Sequence, residues 1–330
     1  MLESGGRHNV RNLATAPDAG PSPLRNFGSP VPPADPAAVM RLRRHPRFAA
    51  AMLESARNAV ELYQGSRLTN LITNDRGRFL LAIAPLYLHQ CARTDGPACG
   101  FTATRLKQFA LEQEICSAGR AAAMLALMRW AGMVAAAPAA ADRRLRLLQP
   151  TAKLIEMHRL RWRRQLQAAS PLMPELEEAA ALCERDDFVA AFAVAQTRQF
   201  MAGFRFIKAV PELALFLERS AGLLVMSNLL LAEAPAASVS DERLRAVSPA
   251  AMAKRFHVSR THVVTLLRDA VEAGLLERAE PGGTRTLPLL RDAGGRFFAA
   301  AFLFNRMAAM RAMAEIGSIP HLAAPAGRHG

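Results

Sequence analysis

The 330-residue sequence predicts a mainly α-helical protein with room for about two domains. Alanine, leucine and arginine are abundant, and all three residue types favour helices. Apolar residues recur at helical spacing along much of the chain, whereas patterns typical of strands are short and occur in two places only. Hydrophobic residues make up 51% and charged residues 21% of the chain, which are the proportions of a globular protein.

The two ends of the chain lack hydrophobic periodicity. Residues 1–38 are rich in proline, glycine, serine and alanine and predict a disordered tail, and residues 319–330 predict a loose C-terminal tail. The start of the chain shows no apolar signal-peptide core, and Glu3 and Asp18 interrupt any transit-peptide pattern. We therefore expect a cytoplasmic location.

Helical periodicity is clearest in the segments 47–64, 78–92 and 188–210. The most apolar run, 221–237, contains serine, asparagine, glutamate and proline, and it is shorter than the ~20 apolar residues that a membrane span needs. This run predicts a buried core helix, and we expect no association with a membrane.

A helix-turn-helix pattern begins at Ser248. A short helix at about 249–256 leads into the turn His257-Val258-Ser259, where the hydroxyl of Ser259 suits the N-cap of a second helix. That helix reaches about Ala273, and Gly274 follows as the residue that ends it. Its apolar face consists of Val263, Leu266, Leu267, Ala270 and Val271.

A short hairpin, or wing, is predicted after the second helix. Residues 275–278 form its first strand, Pro281-Gly282-Gly283 its turn and residues 285–290 its returning strand. Asp292 then suits the N-cap of a further helix. The order of helix, turn, helix and hairpin over 248–294 is that of a winged helix-turn-helix.

In this motif the second helix enters the major groove of DNA, and its N-terminal residues reach base edges. The wing carries basic side chains to the backbone or minor groove, and the net charge of +14 favours such a partner. The expected DNA contacts in this segment are His257, Ser259, Arg260, Thr261, His262, Thr265, Arg268, Arg278 and Arg285. The alternative is a winged helix that binds or scaffolds other proteins without sequence-specific DNA binding.

The segment resembles the MarR and related winged-helix repressor families. The resemblance lies in MAKRFHVSRTHVVTLLRDAVEAGLL, the wing and LRDAGGRFF, and it covers about fifty residues. These families commonly have Leu-Thr where this chain has Leu290-Arg291-Asp292. The resemblance implies double-stranded DNA as partner, transcriptional regulation, and a dimer-like framework built from terminal helices.

Sliding the sequence along itself reveals an earlier copy of the same pattern. In one ungapped register, Ser117 matches Ser259 and Gly132 matches Gly274. Further matches after the helix are Arg143 with Arg285 and the leucines 145, 147 and 148 with the leucines 287, 289 and 290. Residues 103–155 are therefore expected to form a first winged helix, with SAGRAAAMLALMRWAG as its second helix and residues 135–148 as its wing.

The two copies predict a pseudo-twofold dimer within one polypeptide. The first half would cover 39–178 and the second 179–318, so that a monomer could occupy a DNA site without further self-association. The helices expected to pack across the axis are 47–92, 152–168, 188–232 and 295–316.

The first copy offers fewer groups that can distinguish bases. Alanine and glycine stand at 118, 119 and 121, where the second copy has Arg260, Thr261 and Val263. We expect the second copy to read sequence and the first to hold the DNA backbone, with Arg120, Arg143 and Arg144 as its contacts.

The sequence contains no G-x-S-x-G, P-loop, H-E-x-x-H or glycine-rich dinucleotide motif, and its four cysteines form no C-x-x-C pair. We therefore expect neither an enzyme nor a metal or cofactor site. A small-molecule effector has room between the winged helices and the framework helices, although no cluster of residues identifies its site.

Overall fold

The computed structural model describes residues 35–64, 72, 76–94, 96, 99–138, 146–235, 247–279 and 283–318. The chain is mainly helical in these ranges, as predicted, and its strands form two separate antiparallel pairs. The elements in chain order are α1 (Pro36–Arg43), α2 (Phe48–Gln64), α3 (Arg76–Thr94), α4 (Ala103–Glu112), α5 (Ala118–Trp130), β1 (Val134–Ala136), β2 (Leu148–Pro150), α6 (Ala152–Ala169), α7 (Glu175–Leu182), α8 (Asp186–Met201), α9 (Phe206–Ala209), a 3₁₀ turn (Pro211–Leu213), α10 (Ala214–Glu218), α11 (Gly222–Glu233), α12 (Pro249–Phe256), α13 (Arg260–Glu272), β3 (Leu276–Ala279), β4 (Gly283–Thr286) and α14 (Pro288–Ser318).

The same order of elements occurs twice along the chain. Unit 1, defined as α3–α6, and unit 2, defined as α11–α14, each contain a leading helix, two helices joined by a turn, a two-stranded hairpin and a final helix. In each unit the two turn-linked helices pack on each other, and the leading helix packs against the second strand of the hairpin.

Matching caps define the ends of α5 and α13. The hydroxyls of Ser117 and Ser259 each accept a hydrogen bond from the backbone N–H three residues later, at 3.4 and 3.1 Å. Gly132 and Gly274 follow the two helices with the same φ of 69°, a left-handed conformation that glycine adopts without a Cβ clash. All four positions correspond in the register that the sequence predicts.

The hairpins differ in length, which corrects the predicted alignment beyond the helices. Val134 pairs with Pro150 in unit 1, whereas Leu276 pairs with Thr286 in unit 2, so the second hairpin is the shorter and Pro150 corresponds to Thr286. The predicted equivalence of the leucines at 148 and 290 is therefore wrong, because the first lies in β2 and the second in α14. The match of Arg143 with Arg285 depended on the same alignment, and Arg143 and Arg144 lie outside the described residues.

Two local predictions around the second hairpin also need correction. The returning strand covers Gly283–Thr286 rather than 285–290, because Pro288 begins α14, where proline suits the first turn of a helix. Asp292 is not an N-cap but lies inside α14, where its carboxylate accepts hydrogen bonds from Arg43 at 2.6 Å and from Arg296 at 3.0 Å.

Helices outside the two hairpin regions pack reciprocally. Helix α2, which precedes unit 1, packs against α11 of unit 2, and α8, which precedes unit 2, packs against α3 of unit 1. In the same way α1 packs against α14, and α7 packs against α6. Helices α2 and α8 also pack on the units they precede, α2 on α6 and α8 on α14, so both helices join the two units into one body.

Apolar burial is distributed unequally between the units. Unit 1 has a core of its own, which includes Leu106, Phe109 and Met128 and to which α8 adds Val194. The turn-linked helices of unit 2 instead share the large framework core, in which residues such as Phe256 are buried. Unit 2 is therefore more tightly coupled to the framework than unit 1.

Several predicted boundaries shift in the structure. The helix predicted at 188–210 ends at Met201, and Gly203 with a φ of 96° separates it from α9. The boundary between 178 and 179 falls inside α7, and α1 begins at Pro36, within the segment predicted as a disordered tail. The apolar run at 221–237 contains α11, whose residues are largely buried, as predicted.

No single helix in the described ranges has the length and apolar composition to cross a membrane. The pair Pro211–Glu218 and Gly222–Glu233 meets these criteria only when its two members are taken together, and they are bent by 112°.

Candidate nucleic-acid interface

The N-terminal turn of α13 presents a compact exposed surface. The cap at Ser259 positions the first residues of this helix, and Arg260 and Thr261 are exposed. Val264 is also exposed, one turn further along. The inner face of the helix is buried as the sequence predicts, with Val263, Leu266, Leu267 and Ala270 in the core. The exposed end therefore carries a charged group, a hydroxyl and an apolar side chain within one turn.

His262 faces the protein instead of solvent. Its Nε2 atom lies 2.8 Å from the backbone carbonyl oxygen of Ser220, in the connection between α10 and α11. A carbonyl oxygen only accepts, so this nitrogen carries the proton in the bond. His262 thus anchors α13 to the framework, although it was predicted to contact DNA. Thr265 is also partly buried.

The charges on the outer face of α13 are largely paired. Arg268 forms ion pairs with Asp269 at 2.9 Å and with Glu272 at 3.6 Å. The Asp269 carboxylate also forms an ion pair with Arg219 at 2.6 Å. Hydrogen bonds from Arg268 and then Arg219 lower the pKa of Asp269 below its usual value. Exposed ion pairs of this kind contribute little to stability, so a phosphate group can displace Arg268 from them at low cost.

The second hairpin carries one paired and one exposed arginine. Arg285 lies opposite Glu277 across the strands, and their charged groups are 3.6 Å apart. Arg278 is exposed, and no ion pair joins it to any residue of the described ranges. Of the two wing arginines that were predicted, Arg278 is thus the one whose charge remains available for a backbone contact.

A carboxylate that sequence reasoning missed holds the base of this hairpin. Glu233, at the end of α11, accepts hydrogen bonds from the backbone N–H and the hydroxyl of Thr286. Arg291 contacts the same carboxylate at 3.3 Å and donates to the Thr286 carbonyl oxygen at 2.7 Å. Thr286 is buried, so this cluster fixes the direction in which the hairpin leaves the framework. In the sequence, the only signal for Glu233 is its position as the one acidic residue inside the apolar run 221–237.

The corresponding helix of unit 1 presents a different surface. Helix α5 contains Arg120 and Arg129 and no acidic residue, and neither guanidinium forms an ion pair within the described ranges. Its outer face otherwise consists of glycine and alanine, and Trp130 at its end is 79% exposed. Unit 1 therefore keeps unpaired positive charge but lacks the hydroxyl groups that unit 2 presents.

Both turns between the paired helices use a left-handed residue other than glycine. Glu114 has a φ of 52° and His257 a φ of 54°. In each turn the next N–H donates to a carbonyl oxygen of the preceding helix, Ile115 to Ala110 at 2.9 Å and Val258 to Ala253 at 3.2 Å. His257 is exposed beside Arg260, where its ring can contact a ligand of α13.

A polar cleft of about 570 Å³ lies between unit 1 and the connection of α10 with α11. Arg78 of α3 and Arg120 and Ala123 of α5 line one side, and Glu218, the last residue of α10, and Ser220 of the connection line the other. The same connection receives His262 of α13. The N-terminal parts of α5 and α13 therefore both border this connection.

Within the described part of the chain, no three histidine, cysteine, aspartate or glutamate side chains come together as a metal site would require. Comparison with protein-family models, with curated proteins and with solved structures gave no match to this chain.

Proposed function

We propose that the chain is a sequence-specific DNA-binding transcriptional regulator built from two winged helix-turn-helix units. The observation that carries this proposal is α13, which exposes Arg260 and Thr261 at its N-terminal end and packs against β3, the strand of the antiparallel hairpin that bears Arg278. A helix of this width fits the major groove, and guanidinium and hydroxyl groups hydrogen-bond to base edges. Arg278 would contact the adjacent backbone.

The reciprocal packing of the framework supports a pseudo-dimer. Helices α2 and α8 each pack on both units, α2 on α6 and α11 and α8 on α14 and α3, and this reciprocity is the pattern expected of an isologous interface, in which each partner contributes the same surface. The repeated caps of α5 and α13 favour the same interpretation. We infer that one chain occupies one DNA site with both units on the same side.

The two units would contribute differently to binding. Unit 2 has groups that distinguish bases, whereas unit 1 offers glycine, alanine and unpaired arginines. The first unit would therefore hold phosphates through Arg120, and the bound DNA would have one well-defined and one weakly defined half-site.

A second candidate is a protein-binding module that does not read DNA sequence. The exposed Trp130 and the compensation of Arg268 and Arg285 by acidic neighbours favour this candidate. It predicts no sequence preference and only weak, nonspecific retention of duplexes.

Selection of preferred duplexes from a random pool separates the two candidates. We expect Arg260→Gln to relax the preference at one or two base pairs, and Arg278→Gln to weaken binding evenly and to reduce its salt dependence. Arg311→Gln, on the exposed surface of α14, removes the same charge away from the interface and should behave as the parent. Absence of any enriched sequence for the parent protein would favour the protein-binding candidate.

The asymmetry has its own test. Residues 118–121 of α5 can be exchanged for their counterparts 260–263 of α13. We expect the exchange to sharpen the weaker half-site. A parent protein that already selects a symmetric palindrome would contradict the asymmetry but leave DNA binding in place.

A further inference from the structure

An apolar cavity of about 380 Å³ lies between the end of α2, the first half of α6 and the start of the first hairpin. Leu62, Met133, Met157 and Leu160 supply most of its wall. Methionine side chains adapt their shape readily, so this wall suits a ligand with an apolar body. The cavity is separate from the exposed face of α13.

Arg161 brings a positive charge into this wall. Its Nη1 atom is shielded from solvent and has no hydrogen-bond partner among the described residues. The guanidinium lies 3.8 Å from the centre of the Phe79 ring, a contact that orients the group but does not neutralise its charge. Burial lowers the pKa of Arg161 to about 10, so it remains protonated at neutral pH.

The other charged groups of the cavity already have partners. Lys153 donates to the Ala131 carbonyl oxygen at 2.9 Å, at the end of α5. The Glu156 carboxylate forms an ion pair with Arg159 at 2.8 Å. No carboxylate of the described residues forms an ion pair with Arg161, which is partly buried and has its Nη1 atom shielded from solvent. A charge in such a setting gains from a counter-ion, so the Arg161 guanidinium is the group of this wall that suits an anionic ligand.

Unit 2 has a different residue at the position that corresponds to Arg161. The strand pairings make Pro150 equivalent to Thr286, and the same register carried into the final helices places Phe297 of α14 at the position of Arg161. Phe297 is buried and packs on Phe206 of α9 with ring centres 5.3 Å apart. An aromatic side chain thus fills in unit 2 the place where unit 1 has a guanidinium.

We propose that this cavity binds one apolar carboxylate per chain, with the carboxylate on Arg161 and the apolar body against Leu62, Met133, Met157 and Leu160. The guanidinium would donate to both carboxylate oxygens, and the ligand would act as the counter-ion of Arg161. Only unit 1 would bind such a ligand. A role as an effector rests on the proposed function, whereas the binding itself does not.

Isothermal titration of the full chain with decanoate and with 2-naphthoate tests the site without DNA, and decan-1-ol serves as the neutral comparison. We expect saturable binding of at least one carboxylate at one per chain, and weaker binding of the alcohol. Arg161→Gln should weaken carboxylate binding by about tenfold or more. Arg163→Gln, which removes the same charge from the same helix outside the cavity, should bind as the parent.

A second variant separates loss of the site from loss of the fold. Arg161→Phe introduces the residue that unit 2 uses, and we expect it to remain folded by circular dichroism and to lose carboxylate binding. Failure of both carboxylates to bind the parent, or equal binding by the parent and Arg161→Gln, would overturn the proposal. Carboxylate binding by a protein that does not bind DNA would remove the proposed function and leave this inference intact.

Discussion

The Nε2 atom of His262 donates a hydrogen bond to the carbonyl oxygen of Ser220 at 2.8 Å, which joins α13 to the bend between α10 and α11. A residue at the third position of α13 thus serves the framework, while its neighbours Arg260 and Thr261 are exposed. The two roles alternate because successive residues of a helix point about 100° apart.

This contact predicts that stability and base recognition can be separated within one helical turn. His262→Phe removes the donor and should lower the free energy of unfolding by about 1 kcal/mol, with the DNA preference unchanged. Arg260→Gln should instead alter the DNA preference and leave the free energy of unfolding unchanged. Urea unfolding and duplex selection measure the two properties, and a His262→Phe variant with altered preference but parental stability would contradict the assignment.

Gly222 predicts a strong intolerance of any side chain. A Cβ at this position would lie 2.2 Å from the carbonyl oxygen of Phe216, because α10 and α11 meet closely at the bend. Gly222→Ala should therefore destabilise the protein by about 3 kcal/mol or more. Gly119→Ala is the control, since a Cβ there meets no atom within 4 Å and α5 should gain up to about 1 kcal/mol. Equal thermal midpoints for the two variants would argue against the close approach.

His158 predicts a loss of stability in mild acid. Its ring is fully buried against Trp162, and burial, followed by the charge of Arg161, lowers its pKa to about 3. The folded state then binds fewer protons than the unfolded state between this value and the usual pKa of about 6.5, so stability is complete above that range and falls as the pH drops. We expect a loss of about 2 kcal/mol from this group between about pH 7 and pH 5.

Replacement by a side chain that does not titrate tests this origin. His158→Phe should lower stability near neutral pH, because the Ala82 carbonyl oxygen loses its contact with Nε2 at 3.1 Å. It should also flatten the decline in mild acid, as measured by urea unfolding at each pH. The same slope in parent and variant would show that other groups cause the acid sensitivity.

We expect the Glu233 carboxylate of α11 to stabilise the second hairpin. Glu233→Ala leaves the buried hydroxyl and N–H of Thr286 without their acceptor. We expect a loss of about 2 kcal/mol and faster amide hydrogen exchange across β3 and β4, with little change in β1 and β2. Glu272→Ala, an exposed acid on α13, is the matched control. Unchanged exchange in the second hairpin would contradict the anchoring role.

The sequence alone was sufficient to predict α13, its buried face and its two ends. Hydrophobic spacing predicted the buried face of α13, and Ser259 and Gly274 marked its ends, because caps depend on residues within one turn of the helix end. The correspondence of Ser117 and Gly132 with Ser259 and Gly274 is likewise visible in the sequence.

Only the tertiary structure decided the contacts that join distant parts of the chain. The difference in length between the hairpins became visible through strand pairing, since alanine and leucine matches also occur in an incorrect register. The partners of His262, Glu233 and Arg161 come from other helices, and no periodicity within a segment encodes them. Local pattern therefore determined the elements, and long-range packing determined which polar side chains remain available for a ligand.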